Sequence, residues 1–174
     1  FDNSDASFEV KEQRTIAMTA PNGGEAWEAA TQYSITWTHT GEIPNVKIEL
    51  SKDNGGSWGD IIASVPNSGS YNWTPQAGDV AGSCLIRISD ASDSNIIDTG
   101  DAAFQIKTQR TVSVSAPAGG EDWEATKVHT ITWSTTGDIS NVKIEFSKDS
   151  GATWNSIVSS TANTGTYDWT PQSG

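Results

Sequence analysis

The sequence predicts an all-β protein, made of tandem antiparallel β-sandwiches on a 96-residue period. Three observations predict it. Helical periodicity is absent, and short runs rich in Ile, Val, Thr, Tyr and Trp alternate apolar with polar residues, as half-buried strands do. Clusters of Gly, Pro, Asn and Asp interrupt these runs at roughly the eight-to-twelve-residue spacing of sandwich turns. The chain also repeats itself: residues 14–78 match 110–174 without a gap, with 36 of 65 positions identical. Self-similarity at a fixed period sets an architecture before any local feature does.

Seven strands are expected in the complete unit, residues 14–109. Thr15–Ala20 is the first, closed by Pro21-Asn-Gly-Gly24. Tyr33–Thr38 is the second, with Ile35 and Trp37 on one face. Asn45–Ser51 follows, turning Val46, Ile48 and Leu50 inward and Lys47 and Glu49 outward, since side chains alternate along a strand. The turn Ser51-Lys-Asp-Asn-Gly-Gly-Ser-Trp58 leads into the fourth, Trp58–Ser64. The turn Pro66-Asn-Ser-Gly69 leads into the fifth, Ser70–Thr74. Cys84, Ile86 and Ile88 point inward from the sixth, and Phe104 with Ile106 from the seventh. Seven strands in under a hundred residues fit an immunoglobulin-like or fibronectin III-like sandwich. Cys84 is the sole cysteine; it reads as a small buried hydrophobe, and no disulfide framework indicates a compartment.

The period divides the chain into three parts. Residues 1–13 read as the last strand of a preceding repeat, because Phe8, Val10, Lys11 and Gln13 align with Phe104, Ile106, Lys107 and Gln109. Residues 14–109 are a complete repeat, and 110–174 an incomplete following one. The joint Lys107-Thr-Gln-Arg110 has no Gly, Pro or Ser spacer, so a stiff or semi-stiff rod is expected rather than a flexible tether.

Charge and composition exclude several functions. The net charge is −12 and no Lys/Arg run exists, which argues against nucleic acid and anionic membrane as partners. Apolar runs are too short to span a bilayer. Catalysis finds little support, and no enzyme is expected. His39 and His129 occupy unequal places in the repeat, aligning with Thr135 and Tyr33, whereas a repeated active site needs the same residue in the same place. The sequon Asn72-Trp-Thr74 is lost in the second copy, where Asp168 stands.

The turn that recurs as Ser147-Lys-Asp-Ser-Gly-Ala-Thr-Trp154 matches the Asp-box pattern at every specified position. Its residues are Ser51, Asp53, Gly55 and Trp58, then Ser147, Asp149, Gly151 and Trp154. The pattern reads as a self-capped structural turn: the Asp carboxylate accepts backbone N–H groups, the Gly takes φ > 0 and the Trp packs across. Eight tryptophans, four per copy, are many for so short a chain. Trp37 and Trp73 read as core. Trp27 is the best candidate for partial exposure, and Trp27 with Trp123 are the candidates for stacking on sugar rings. Asp90, Asp93, Asp98 and Asp101 crowd the expected loop Ser89–Asp101. Clustered carboxylates can hold calcium, but the spacing matches no calcium motif and a turn-forming, solubilising use is favoured.

The unit resembles a family of extracellular immunoglobulin-like repeats of large secreted or surface proteins. It is similar to the Ser/Thr-rich GPI-anchored fungal cell-wall domain family. The residues that carry this are Ala20-Pro-Asn-Gly-Gly-Glu-Ala-Trp27, Ser34-Ile-Thr-Trp37, Val46-Lys-Ile-Glu-Leu-Ser51, Tyr71-Asn-Trp73, Cys84-Leu-Ile-Arg-Ile88 and Phe104-Gln-Ile106. The resemblance implies a stalk, adhesion or wall-associated module outside the cell or on its surface, with no catalytic residues and no cofactor. The expected partners are neighbouring repeats and copies of the same protein in a filament. The alternative is a carbohydrate-binding or accessory module of a secreted hydrolase, whose partner would be a glycan.

Overall fold

The structure is a computed structural model and describes residues 9–173. The chain divides into two compact units that meet between Lys107 and Thr108. The first contains β1 (Thr15–Ala20), β2 (Ala26–Glu28), β3 (Tyr33–Thr40), β4 (Asn45–Ser51), β5 (Gly59–Pro66) and β6 (Ser70–Trp73). A 3-10 turn at Ala77–Asp79 precedes β7 (Ala81–Asp90), β8 (Asp93–Thr99) and β9 (Phe104–Lys107). The fold is all-β, as expected. The preceding repeat's last strand would fall partly on residues 1–8, which lie outside the described residues; 9–14 form no strand.

The described residues of the first unit form nine strands where seven are expected. β2 is too short to show alternation, and only hydrogen bonds to a distant strand make it one. Trp27 lies opposite Ile106 in a parallel pair with β9. Gln105 N donates to Glu25 O at 2.9 Å and Ala29 N to Lys107 O at 2.9 Å. β8 was hidden by its polarity. It pairs with β7, with Ile97 opposite Ser89 and Thr99 opposite Arg87, and its outward side chains are free to be polar. The expected loop Ser89–Asp101 is therefore mostly the end of one strand and all of the next.

The strands form two sheets, β1-β3-β6 and β2-β9-β7-β4-β5, with β8 on the edge of β7. Ile16, Met18, Ile35 and Trp37 from the first meet Trp27, Val46, Ile48, Cys84, Ile86, Ile88, Phe104 and Ile106 from the second in one buried cluster. Burial of one such aliphatic side chain contributes about 2 kcal/mol. Cys84 lies in this core as a free thiol, and burial pushes its pKa up.

The second unit contains β10 (Thr111–Ala116), β11 (His129–Thr136), β12 (Asn141–Phe146), β13 (Asn155–Ala162) and β14 (Thr166–Trp169). Its ladders reproduce those of the first unit pair by pair. Thr111 faces Thr136 as Thr15 faces Thr40, and His129 faces Trp169 as Tyr33 faces Trp73. The register shift before Ala20 recurs before Ala116. Counterparts of β7–β9 would fall beyond residue 174. Met18 packs under β7 and β8 and is 6% exposed, whereas its counterpart Val114 is 60% exposed.

Candidate functional site

The repeated turn sits between β4 and β5, where the chain must reverse within a few residues. Ser51 is fully buried, and its hydroxyl is the hub. It donates to Asp53 Oδ1 at 2.7 Å and accepts Gly55 N at 2.7 Å. Asp53 closes the far side, accepting Ser57 N at 2.8 Å on Oδ1 and the Ser57 hydroxyl at 2.6 Å on Oδ2. Asn54 and Gly55 take φ values of 57° and 94°, the left-handed region that Asn tolerates and Gly enters freely. The second copy repeats every bond, with Thr153 for Ser57. Both carboxylates are held at about 2, below the ordinary 3.8. The hydroxyl of Ser57 is the first cause at Asp53, and that of Thr153 at Asp149. Such saturated carboxylates are poor acids or bases near neutral pH.

Trp58 leaves this turn and meets a charged network on the outside of the larger sheet. The Arg87 guanidinium lies 4.3 Å over its ring, a cation–π contact. Arg87 in turn makes a bidentate pair with Glu49, at 2.7 and 3.0 Å. Lys47 reaches Glu49 at 2.9 Å and Asp60 at 2.8 Å. Glu49 is buried and its pKa is lowered, chiefly by the hydrogen bond from Arg87. Trp154, the counterpart of Trp58, is 61% exposed.

Trp27 is not an open sugar platform. It is 7% exposed, and aromatic rings surround it: Tyr33 stacked at 4.6 Å, Phe104 at 4.9 Å and Trp73 at 6.1 Å. Glu28 N donates to the Tyr33 hydroxyl at 2.8 Å, which pins the stacked ring. The parallel pairing of β2 carries Trp27 inward, and that pairing is invisible locally. Trp123 is half-buried, stacked on His129 at 4.7 Å and tilted against Trp169 at 6.2 Å. His129 thus replaces Tyr33 as a stacking ring.

The four aspartates do not converge on one point; only Asp90 and Asp93 share a partner, Arg14. Asp90 is buried and takes Arg14 Nη1 at 2.7 Å together with the backbone N–H and hydroxyl of Ser92. Asp93 takes Arg14 Nη2 at 2.7 Å, and its pKa is lowered first by the backbone N–H of Asn95. Asp98 accepts Met18 N at 2.7 Å, and Asp101 accepts the Asn22 amide at 2.7 Å. Among the described residues no three acids, histidines or cysteines are grouped to hold a metal ion. The calcium reading, the less favoured of the two, gains no support here: most of the expected loop is a hairpin, and its carboxylates hold strands and turns together.

Asn67 was missed by sequence reasoning. Its carbonyl accepts the Trp37 indole N–H at 2.7 Å and its amide donates to Ile43 O at 2.9 Å. Asn163 holds Trp133 and Ile139 in the same way at 2.7 and 2.8 Å. An Asn at the same offset in both copies was the available signal.

With two sheets, a shared core and a stapled turn in place, comparison with known proteins is specific. The model of the Kre9/KNH-like N-terminal Ig-like domain matches residues 20–106. The chain belongs to this family. The Kre9/KNH-like match runs from the end of β1 through β9, so it covers the sandwich of the first unit. It agrees with the fungal cell-wall resemblance carried by the sequence motifs. Among solved structures, the fibronectin(III)-like modules of Clostridium thermocellum CbhA align with 92% of this chain and 80% of theirs. The identity is 19% and the TM-score 0.34. No curated protein matches the chain. No helix among the described residues is long and apolar enough to cross a membrane.

Proposed function

We propose that this chain is a structural module: a stretch of tandem Ig-like sandwiches in an extracellular fibre, stalk or surface adhesin. The observation that carries the reading is the coincidence of sequence period and ladder register. Each residue pairing of β10, β11 and β14 lies 96 positions after its counterpart in β1, β3 and β6. Membership of the Kre9/KNH-like Ig-like family supports a place outside the cell or on its surface. The polar residues between β9 and β10, without Gly, Pro or Ser, support a joint of limited freedom,. The partners of such a module are its own neighbouring repeats and further copies of the same protein.

The working parts of this reading are structural throughout. The Asp-box turns staple β4 to β5 and β12 to β13, and the module itself carries out no reaction. An antibody raised against residues 14–107 tests the location. It is expected to label intact cells that make the protein, and a brief external protease treatment should remove the signal. Recovery of the antigen only from the soluble cell interior would overturn the proposal.

A further inference from the structure

We infer that a groove beside the first Asp-box turn binds a neutral saccharide chain, with Trp58 as its stacking platform. This goes beyond the structural reading and does not depend on it. The groove lies where the turn after β4, the start of β5 and the 3-10 turn after β6 come together, and its volume is about 370 Å³. Small-ligand sites typically begin near about 300 Å³. Two indoles, Trp58 and Trp73, line it together with Lys52, Ser57, Asp60 and Asp79. That combination fits one chemistry well. A pyranose ring presents a C–H face to an aromatic ring, and its edge carries hydroxyls that both donate and accept. Asp60 and Asp79 can accept from those hydroxyls, while Lys52 can donate to them.

The groove is also held in place before any ligand arrives. Arg87, itself fixed by Glu49, backs the Trp58 ring at 4.3 Å. Trp27 backs Trp73 at 6.1 Å. Lys52 Nζ rests on Gly78 O at 2.9 Å, and Asp79 accepts Gln76 N at 2.7 Å. A rigid aromatic platform costs little ordering on binding.

The second copy narrows the ligand class. Lys148, Trp154 and Trp169 repeat Lys52, Trp58 and Trp73, and Thr153 keeps the hydroxyl of Ser57. Of the charged lining residues, Lys52 is kept as Lys148, Asp60 becomes Ser156, and the counterpart of Asp79 would fall beyond residue 174. A cationic ligand would meet Lys148 with one carboxylate fewer. A polyanion would be repelled by a chain of net charge −12,. A neutral sugar needs neither charge, only rings and hydrogen-bonding groups.

The test is NMR on the full 174-residue chain, following the tryptophan indole N–H signals. Linear oligomers of glucose, mannose and N-acetylglucosamine are titrated to millimolar concentration, with polygalacturonate as the anionic arm. With at least one neutral oligomer, the Trp58 and Trp73 signals are expected to shift while that of buried Trp27 stays still. Trp58→Ala should weaken binding about tenfold, and Lys52→Ala, which leaves the turn intact, should also weaken it. If Trp58→Ala fails to fold, Trp58→Phe and Lys52→Ala carry the comparison. No groove shift with any neutral oligomer would overturn the inference. So would binding undiminished by the substitutions, or binding to polygalacturonate alone.

Discussion

A single hydroxyl, that of Ser51, holds the repeated turn at its centre. It is buried and bonded to Asp53 and Gly55. Ser51→Ala leaves Gly55 N–H without its acceptor, so unfolding free energy should fall by about 1–3 kcal/mol. Urea denaturation of the two chains measures that difference. The carboxylates of Asp53 and Asp149 give a second expectation. Their folded pKa of about 2 lies below the ordinary 3.8. A group depressed in this way stabilises the fold above its unfolded value, and the contribution is lost as pH falls toward the folded one. The window therefore lies between about pH 4 and pH 2. Carboxyl-carbon NMR should show both groups titrating near the bottom of that window, after most other carboxylates. Midpoints near 4 would mean that the turn opens in solution.

Strands made largely of local alternation were legible in the sequence; those made by distant partners were not. β1 and β4 run over Thr15–Ala20 and Asn45–Ser51, as expected, because their apolar residues fall at every second position, although Glu49 and Ser51 on the other face of β4 are buried as well. β2 and β8 escaped because their identity lies in bonds to β9 and β7, which no short window contains. The same blindness misplaced Trp27, whose neighbours Gly23, Gly24 and Glu25 suggest a surface turn. Its burial sets a sharp contrast between two tryptophans. Trp27→Ala should destabilise the first unit by about 3–5 kcal/mol, whereas Trp154→Ala should stay within about 0.5 kcal/mol. Thermal and urea melts of both variants decide it, and similar losses would contradict the packing described. The β7–β8 hairpin supports a third expectation. Since Asp90 and Asp93 are neutralised by Arg14 while Asp98 holds Met18 N and Asp101, just past the hairpin, holds Asn22, the melting temperature should be the same in chelator and in millimolar calcium. An upward shift in calcium would reveal ion binding to the folded state.

For the molecule as a whole, the repeat and the family were legible early, because 36 shared identities in 65 positions survive any local ambiguity. The exposure expected of Trp27 was misread, since the position of a ring relative to solvent depends on the whole sandwich. One pairing has a consequence at this scale. β2 and β9 lie near opposite ends of the first unit and run parallel. When the ends of this unit are pulled apart, load reaching the two strands acts along their length, in opposite directions. The bonds from Gly24, Gln105 and Ala29 are then strained together instead of opening one by one like a zip. Such a patch resists force out of proportion to its three residues. Stretched singly in an atomic force microscope, the unit should yield in one abrupt event that lengthens the chain by about 30 nm. Ala29→Pro, which deletes the donor to Lys107, should lower the rupture force. An unchanged force would place the mechanical clamp elsewhere, whereas a lowered one would make three short residues the fuse of the unit under tension.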